Sequence, residues 1–329
     1  MAVYTKINSS DLINHLKNYT IGELQSYQEI VEGIDNSNFI INTSKGKFIL
    51  TIFESRIKSC DLPFFINLKL HLAKKQICCP CPVINNNQQV ISEFKNKDSV
   101  IVSFLSGKSL TPSANGYYQS ITIKHCQEVA KILAKMHLAV LDFKDNRIND
   151  LAINNFRNLF NKFANRLDDF QLGLKDQLSK DLIMLEDLWQ KNYQPSMPSG
   201  ACHLDLFPDN VFFDQDHNLS AVIDFYFAGN DLLVYDLAIV INAWCFDEIN
   251  FNQQKYLAIV NYYQQLRILN EDEQKFLPIA LACASMRFLL TRLHDYFFTD
   301  KNSLVKIKDP KEYLMKLNYF KNQLLNHKF

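Results

Sequence analysis

Residues 203–213 read HLDLFPDNVFF and residues 221–231 read AVIDFYFAGND, and the fold assignment starts from these two stretches. Each of them sets acidic side chains beside strongly apolar runs. A buried or half-buried carboxylate costs free energy unless a partner stabilises it. Three kinds of partner suit this pattern: a metal ion, a proton taken up during catalysis, or the backbone N–H groups of a turn or helix start.

The spacing of these residues favours the first two partners. Asp205 stands five residues before Asn210 in a His-x-Asp-x-x-x-x-Asn pattern, and Asp224 follows fourteen residues later at the end of an apolar run. Protein kinases use this pattern in their catalytic loop, where the aspartate accepts the proton of the substrate hydroxyl and the asparagine holds magnesium. The sequence therefore predicts phosphoryl transfer, with Asp205 as the base and Asn210 and Asp224 as ligands of Mg²⁺. The alternative is structural: Asp205 or Asp209 in a turn or helix cap, and Asn210 fixing a loop.

The composition predicts a soluble, two-lobed protein. A chain of 329 residues is too long for one small core. Its 35 basic and 35 acidic residues cancel, so no net field attracts nucleic acid or a membrane surface. The start of the chain lacks a signal-peptide pattern, and no apolar run is long enough to span a membrane. We expect a cytoplasmic protein, and the sequence does not indicate its oligomeric state.

The eight cysteines predict free thiols. Only the CCPC run at residues 78–81 is clustered, and no second pair stands at a zinc-binding spacing. We therefore expect no structural metal.

The pattern of apolar and turn residues predicts an α+β, two-lobed, protein-kinase-like fold. Residues 37–55 contain two β-rich runs joined by TSKG, which indicates a hairpin with Gly46 in the turn. A helix from residue 61, with Asp61 as its N-cap and Pro63 in its first turn, and two more strands at 88–94 and 97–107 complete a small antiparallel sheet with one helix. We predict an N-terminal nucleotide-binding lobe at 1–103, a hinge at 104–108 and a larger, mainly helical catalytic and substrate-binding lobe at 109–329. Its helical runs are 125–140, 151–191, 232–244, 253–266 and 278–298.

Several segments together resemble one family. HLDLFPDNVFF and VIDFYFAGNDLLVYDLAI look like the aminoglycoside-phosphotransferase-like kinases, and GIDNSNFIINTSKGKFILTIFE, DLPFFINL, HCQEVAKILAKMHLA, NAWC and RFLLTRL are similar to the bacterial homoserine kinases of that fold. The likeness runs in order over nearly the whole chain. It implies ATP-dependent phosphorylation of the L-homoserine hydroxyl, with ATP and Mg²⁺ as cofactors and a small molecule as the partner. Kinases of choline, methylthioribose or aminoglycosides share the fold and stay open as alternatives.

The resemblance also assigns roles to residues outside the catalytic loop. It implies that His203 orders the loop and that Asp236 braces the large lobe. It places the nucleotide against the loop between the first two strands and against the hinge, at Asn36, Ser37, Asn38, Ser103 and Phe104. A plain hairpin turn is the alternative for the first three.

One position departs from the kinase pattern. Kinase-like folds carry a lysine on the third strand that binds the ATP phosphates, and Thr51 stands at that position here. Lys47, Arg56 and Lys58 are the candidates to replace it. The same departure motivates a different class of function, an inactive nucleotide-binding regulator.

Arg287 is the candidate for the carboxylate of the substrate. Basic and acidic residues nearly balance after Phe225, which suits a zwitterionic substrate better than a polycationic drug. If residues 282–297 form a helix, Arg292 has Asp295 three residues on as a local surface partner, whereas Arg287 has no acid within helical reach. We therefore expect Arg287 to bind either the homoserine carboxylate or a distant structural acid.

Overall fold

A computed structural model of the chain describes residues 5–30, 36–54, 57–113, 116–118, 120–300 and 307–326. The chain divides into two compact units. We call Met1–Gly107 together with Ser220–Tyr226 the N-terminal unit, and Lys108–Leu219 together with Phe227–Phe329 the C-terminal unit. The division predicted from the sequence did not assign residues 220–226 to the N-terminal unit.

The N-terminal unit is built on a five-stranded antiparallel sheet of order β1-β2-β3-β5-β4. The predicted hairpin joins β2 to β3, with Thr43 opposite Gly46 and a positive φ of 138° at Gly46. The elements are α1 (Ser9–Leu16), β1 (Leu24–Ile30), β2 (Asn36–Thr43), β3 (Gly46–Phe53), α2 (Leu62–Lys74), β4 (Ser92–Phe94) and β5 (Lys97–Ser103).

Two details of the N-terminal unit differ from the prediction. The sequence predicted one helix, but α1 precedes the sheet and packs Leu12 and Leu16 into the core with Phe39 and Ile41 of β2. Asp61 does precede α2, but its side chain does not cap the helix. A 3₁₀ turn over Ser59–Asp61 runs straight into α2, so the backbone of Asp61 is already helical.

The C-terminal unit is mainly helical, with short antiparallel pairs β6–β8, β7–β10 and β11–β12. Helix α9 packs against α7 and α10 and forms the centre of this unit. The elements, with β9 reaching the boundary between the units, are β6 (Lys108–Ser109), α3 (Ile123–Ala139), α4 (Phe156–Asn161), α5 (Leu167–Phe170), α6 (Leu174–Asn192), β7 (Ser199–Cys202), β8 (Val211–Phe213), β9 (Leu219–Val222), β10 (Gly229–Leu232), α7 (Leu233–Trp244), β11 (Phe246–Asp247), β12 (Asn250–Phe251), α8 (Gln253–Gln264), α9 (Glu271–Phe298) and α10 (Pro310–Leu325).

Helix α9 is long and apolar enough, by length and composition, to cross a membrane. Of its most apolar window, 89% is buried inside the protein, as expected for the core helix of a globular unit. It begins seven residues before the predicted start, because Asn270 and Glu273 form a capping box and Pro278 is accommodated within the helix.

The prediction that Arg292 forms a surface pair with Asp295 is wrong. Instead of forming a surface pair with Asp295, Arg292 is 8% exposed and donates to Glu312 of α10 over 2.6 Å. Glu312 also accepts from Lys316 over 2.6 Å, so one carboxylate holds two cations. Burial raises the pKa of Glu312, but attraction to Lys316 and Arg292 outweighs it and brings the pKa from 4.5 down to about 2. This cluster fastens α10 to α9.

Replacing Glu312 with glutamine is expected to lower the free energy of unfolding at pH 7 by about 3 kcal/mol. Because the folded pKa is depressed, the stabilisation is complete above pH 4.5 and is lost as the pH falls towards 2. Urea unfolding of the wild type and of Glu312→Gln between pH 7 and pH 3 measures this effect. The difference between their free energies of unfolding should become smaller as the pH falls. Asp187→Asn, which breaks an exposed pair with Lys191, is the control and should change stability by no more than about 0.5 kcal/mol. A difference that stays constant with pH would contradict the assignment.

Candidate active site

The loop that carries Asp205 is ordered by hydrogen bonds within residues 203–210. The side-chain amide of Asn210 donates to the backbone carbonyl of Asp205 over 2.7 Å and to its Oδ2 over 3.1 Å. The Asp205 N–H donates to Nδ1 of His203 over 3.3 Å. The structure thus brings Asp205 and Asn210 together, and His203 orders the loop from the other side. Asp205 is half-buried, so its carboxylate is oriented by the protein and still accessible.

Leu204, which precedes Asp205, has a left-handed backbone with φ at +61°. For a branched residue this conformation costs about 1–3 kcal/mol and persists only where neighbours enforce it. Both carboxylate oxygens of Asp236 accept here, one from His203 N–H at 2.9 Å and one from Leu204 N–H at 2.8 Å. The Leu204 carbonyl accepts from Nη1 of Arg287 over 2.6 Å. Two buried charged residues therefore hold the backbone turn that presents Asp205.

Asp236 is itself fixed by a buried network in the C-terminal unit. Nε2 of His137 lies 3.1 Å from Asp236 Oδ2, and Nδ1 of His137 lies 2.6 Å from the hydroxyl of Tyr263. Burial lowers the pKa of His137. Burial raises the pKa of Asp236, but the hydrogen bond from His137 outweighs it and holds the pKa below its ordinary value. A neutral imidazole that donates to an ionised carboxylate satisfies both groups.

Cys202 lies beside this network, and His137, Cys202 and Asp236 place their donor atoms within 4.8 Å of one another. Burial raises the pKa of Cys202 well above its ordinary value, so the thiol stays protonated. A metal requires the thiolate and a free carboxylate, whereas Asp236 already accepts three hydrogen bonds. We assign the cluster to the brace of the catalytic loop.

Asn210 has the features of a ligand for a hard cation. Its side-chain nitrogen donates hydrogen bonds to Asp205. Its side-chain oxygen accepts no hydrogen bond from any residue that the structure describes. The residue is nevertheless buried. An amide oxygen held in place next to a carboxylate fits the oxygen ligands that Mg²⁺ prefers.

Asp224 lies in the N-terminal unit, on the segment Ser220–Tyr226. This segment is attached through a hydrogen bond from Val222 N–H to the Cys78 carbonyl at 2.9 Å. The ring of Tyr226 packs edge-on against Phe53 and Phe65, with centroids 5.4 and 5.6 Å away. Asp224 has a left-handed backbone with φ at +62°, as Leu204 does, and here the predicted site residue itself adopts this conformation.

A buried lysine that the sequence analysis missed lies in the same unit as Asp224, against the ring of Tyr226. Lys69 of α2 is only 3% exposed, and its ammonium lies 5.1 Å from the centre of the Tyr226 ring. Within the described part of the chain, this ammonium has no hydrogen bond and no ion pair. Burial lowers the pKa of Lys69 to about 8, while Cys79 and Asp224 act to raise it. Lys69 is therefore a further candidate for the cation that replaces the strand lysine. The sequence analysis missed it because it lies among the apolar residues of α2.

The three predicted residues of the phosphate loop lie on two faces of the sheet. Asn38 accepts from the Thr51 hydroxyl over 2.8 Å, and Asn36 accepts from the N–H of Glu54 over 3.4 Å. The Ser37 side chain points to the opposite face, where it donates to Glu54 over 2.7 Å. Strand alternation is the reason, since β2 begins at Asn36. The sequence predicted nucleotide contacts through the amides and side chains of all three residues, and in the structure the hydroxyl of Ser37 is bound to Glu54.

Of the two residues predicted to bind the nucleotide at the hinge, Ser103 ends β5 and Phe104 follows it. Ser103 donates its N–H to the carbonyl of Cys81 over 2.9 Å and accepts from the Cys81 N–H over 3.0 Å. Phe104 is partly exposed, and the ammonium of Lys47 lies 5.6 Å from its ring centre. Lys58 is exposed, and Arg56 lies outside the described residues.

Arg287 lies in the middle of α9 and is 2% exposed. Nη1 is bound to the Leu204 carbonyl, whereas Nε has no hydrogen-bond partner among the described residues. The charge of Arg287 also acts on Asp231, a half-buried acid that accepts from Asn149 over 2.7 Å. The guanidinium is thus anchored next to Asp205 with a donor still unsatisfied.

These features define a phosphotransferase of the protein-kinase-like class. The model of the phosphotransferase enzyme family matches residues 26–268. A homoserine kinase of Rhodopseudomonas palustris (strain BisB5) is 43% identical over 323 residues, which cover 98% of this chain and 95% of that protein. A homoserine kinase of Rhizobium meliloti (strain 1021) is 41% identical, with 97% of this chain and 94% of that protein covered. The chain belongs to this phosphotransferase family and, within it, to the homoserine kinases.

Solved structures agree on the fold. The amicoumacin kinase hAmiN, in complex with AMP-PNP, Ca²⁺ and Ami, matches with a TM-score of 0.69 at 13% identity over 98% of this chain and 94% of that one. A choline kinase from Cryptosporidium parvum Iowa II matches with a TM-score of 0.69 at 15% identity over 98% and 97%. The predicted α+β, protein-kinase-like fold is therefore confirmed. At these identities the likeness concerns the fold alone.

Proposed function

We propose that this protein transfers the γ-phosphoryl group of ATP to the hydroxyl of L-homoserine, forming O-phospho-L-homoserine for threonine biosynthesis in the cytoplasm. The observation that carries the proposal is the 41–44% identity to homoserine kinases over 94–96% of their length. The aligned region covers 98% of this chain and therefore includes both units. The Asp205–Asn210 loop supplies the groups that such a reaction needs.

Asp205 acts as the general base. Its carboxylate takes the proton of the homoserine hydroxyl while the hydroxyl oxygen forms a bond to the γ-phosphorus. The bond between the γ-phosphorus and the bridging oxygen breaks, and ADP leaves with that oxygen. The protein contributes mainly position and charge to such a transfer, so the braces on Leu204 and the hydrogen bonds from Asn210 are part of its mechanism.

Asn210 and Asp224 would hold Mg²⁺, which when bound neutralises charge on the phosphates. We assign contacts with the nucleotide to Asn36, Asn38, Ser103 and Phe104. Ser37 receives no side-chain role, because its hydroxyl is used by Glu54 on the other face of the sheet.

Arg287 is proposed as the ligand of the homoserine carboxylate, through the donor that Leu204 leaves unused. Arg287→Lys is expected to raise the KM for homoserine by at least about tenfold with little change in the KM for ATP, since an ammonium cannot reproduce the two-pronged guanidinium. Steady-state kinetics with each substrate varied measures this. A variant that loses only thermal stability, with homoserine kinetics unchanged, would assign Arg287 to the loop alone.

An assay of ATP consumption with L-homoserine, choline and kanamycin tests the proposed function. We expect turnover with homoserine and values near background with the other two. Faster turnover with choline or kanamycin than with homoserine would identify a different acceptor substrate for this protein. ATP binding without turnover on any acceptor would favour the inactive regulator that the threonine at position 51 suggests.

A further inference from the structure

Two histidines join the turn between β8 and β9 to the start of α3. Nε2 of His125 lies 2.9 Å from Nδ1 of His217, and the ring centroids are 4.8 Å apart at an interplanar angle of 69°. His125 is 1% exposed, whereas His217 is exposed. The pair therefore connects the interior of the C-terminal unit to a side chain that can take up a proton from solvent.

The backbone determines which nitrogen of each ring carries a hydrogen. In the capping box at the start of α3, the His125 N–H donates to the Thr122 hydroxyl over 3.3 Å, and the Thr122 N–H donates to Nδ1 of His125 over 3.1 Å. A backbone N–H can only donate, so Nδ1 of His125 carries no hydrogen and Nε2 does. His125 then donates from Nε2, and His217 accepts at Nδ1. Both rings must be neutral for this arrangement to form.

A proton on His217 breaks the bond between the rings. Neutral His217 already carries its hydrogen on Nε2, so an added proton goes to Nδ1, the atom that accepts from His125. His125 cannot restore the bond by moving its own hydrogen, because its Nδ1 would then present a hydrogen to the Thr122 N–H. An ordinary histidine side chain takes up a proton at about pH 6.5. The contact is therefore sensitive to mild acid.

The surroundings of His125 also favour the neutral ring. Burial lowers the pKa of His125, and the charges of His217 and Lys255 act in the same direction, while the Ser120 carbonyl opposes them. Because the folded pKa lies below the ordinary 6.5, the stabilisation is complete above that pH and decreases as the pH falls below it. Within the described part of the chain, no carboxylate is bound to either ring. The charged side chains on the adjoining elements are Lys124 and Glu128 of α3, Lys255 of α8, Lys108 of β6, and Asp214 and Asp216 of the turn.

The pair lies at one end of a strand whose other end adjoins Asn210. Strand β8 begins at Val211, directly after Asn210. Its last residue, Phe213, packs against the ring of His125 with centroids 4.5 Å apart. The turn then reaches His217, whose backbone is left-handed with φ at +59°. Loss of the contact between the histidines would therefore loosen the strand that follows Asn210.

We propose that His125 and His217 form a proton-sensitive latch, which holds the β8–β9 turn on α3 while both rings are neutral and releases it when His217 takes up a proton. After release, β8 holds Asn210 less firmly, and the enzyme requires more Mg²⁺ for activity. This link to catalysis rests on the proposed function, in which Asn210 is a ligand of Mg²⁺. The two histidines are thus positioning residues.

His217→Asn is the decisive variant. The Oδ1 of asparagine occupies the place of Nδ1 and accepts from His125, and asparagine tolerates a left-handed backbone, but it takes up no proton. Between pH 8 and pH 5.5, the Mg²⁺ concentration for half-maximal activity should rise about fivefold more in the wild type than in the variant, the factor expected for one lost hydrogen bond. At pH 8 the two proteins should agree. Acid acts on ATP equally in both proteins, so the comparison cancels that effect.

Amide hydrogen exchange of the full chain tests the latch without the reaction. At pH 5.5, residues 212–219 should exchange about fivefold faster in the wild type than in His217→Asn, and at pH 8 they should exchange at the same rate. His294→Asn is the matched control, because it makes the same change at a partly exposed histidine of α9. It should keep the pH response of the wild type in both measurements.

Equal exchange rates and equal magnesium requirements of the wild type and His217→Asn at pH 5.5 would overturn the latch. Faster exchange in the wild type with an unchanged magnesium requirement would overturn its link to Asn210. A wild-type enzyme that does not phosphorylate homoserine would instead overturn the proposed function. The exchange measurement would still decide whether the latch exists, so the two failures are distinguishable.

Discussion

Asp205→Asn is expected to lower kcat for homoserine phosphorylation by at least about 100-fold, the typical contribution of a positioned general base. Asparagine has the same shape, and its amide oxygen can still accept the hydrogen bond that Asn210 donates to Oδ2. It cannot take up the proton of the substrate hydroxyl. The dissociation constant for ATP and the melting temperature should therefore stay close to those of the wild-type protein.

Asp216→Asn is the matched control for this variant. It makes the same chemical change in an exposed turn after β8 and should leave kcat unchanged. Wild-type turnover in Asp205→Asn would remove Asp205 from its role as base. Loss of activity together with a lower melting temperature would assign Asp205 to the stability of the loop.

Asp224→Ala is expected to abolish phosphoryl transfer, with a loss of at least about 1,000-fold, because the phosphates lose the carboxylate that holds their counter-charge. Alanine at a φ of +62° is also strained. Asp224→Asn separates the two effects, since asparagine tolerates this conformation but carries no charge. It should fold as the wild type and still lose most of its activity. Normal activity of Asp224→Ala at ordinary magnesium concentrations would contradict the assignment.

Asn210→Ala tests the same site through the metal concentration. Removing a neutral ligand should raise the magnesium concentration required for half-maximal activity by about tenfold, with activity partly restored at saturation. Asp224→Ala should not be rescued in this way. If added magnesium restores neither variant or both equally, the two residues do not have the roles proposed here.

Sequence patterns within about twenty residues correctly predicted the elements that depend on short-range interactions. The TSKG hairpin and the helix beginning near Asp61 depend on turn chemistry and periodicity within about twenty residues, and both were confirmed. Residues 151–191 were predicted as one helix but form three, separated at the buried Phe163 and at Gly173, whose φ is +79°. Apolar spacing continued through these breaks, so periodicity alone did not show them.

The contacts that could not be predicted join residues far apart in the chain. The pairing of Arg292 with Glu312 was missed for two reasons. The sequence analysis did not recognise α10, and Asp295, three residues after Arg292, made a local pair plausible. The contact between Arg287 and the Leu204 carbonyl spans 83 residues and leaves no trace in the spacing. The motif of Asp205 and Asn210 was visible in the sequence, whereas the residues that hold it in place were not.

The return of residues 220–226 to the N-terminal unit has a consequence for biosynthesis. Residues 1–107 leave the ribosome before Val222 and Tyr226, which complete their packing, have been made. At 5–20 residues per second, roughly 6–24 s pass before that segment is complete. Until then the faces of Phe53 and Phe65 that Tyr226 covers lack this cover, so the N-terminal unit cannot complete its packing before that segment is made.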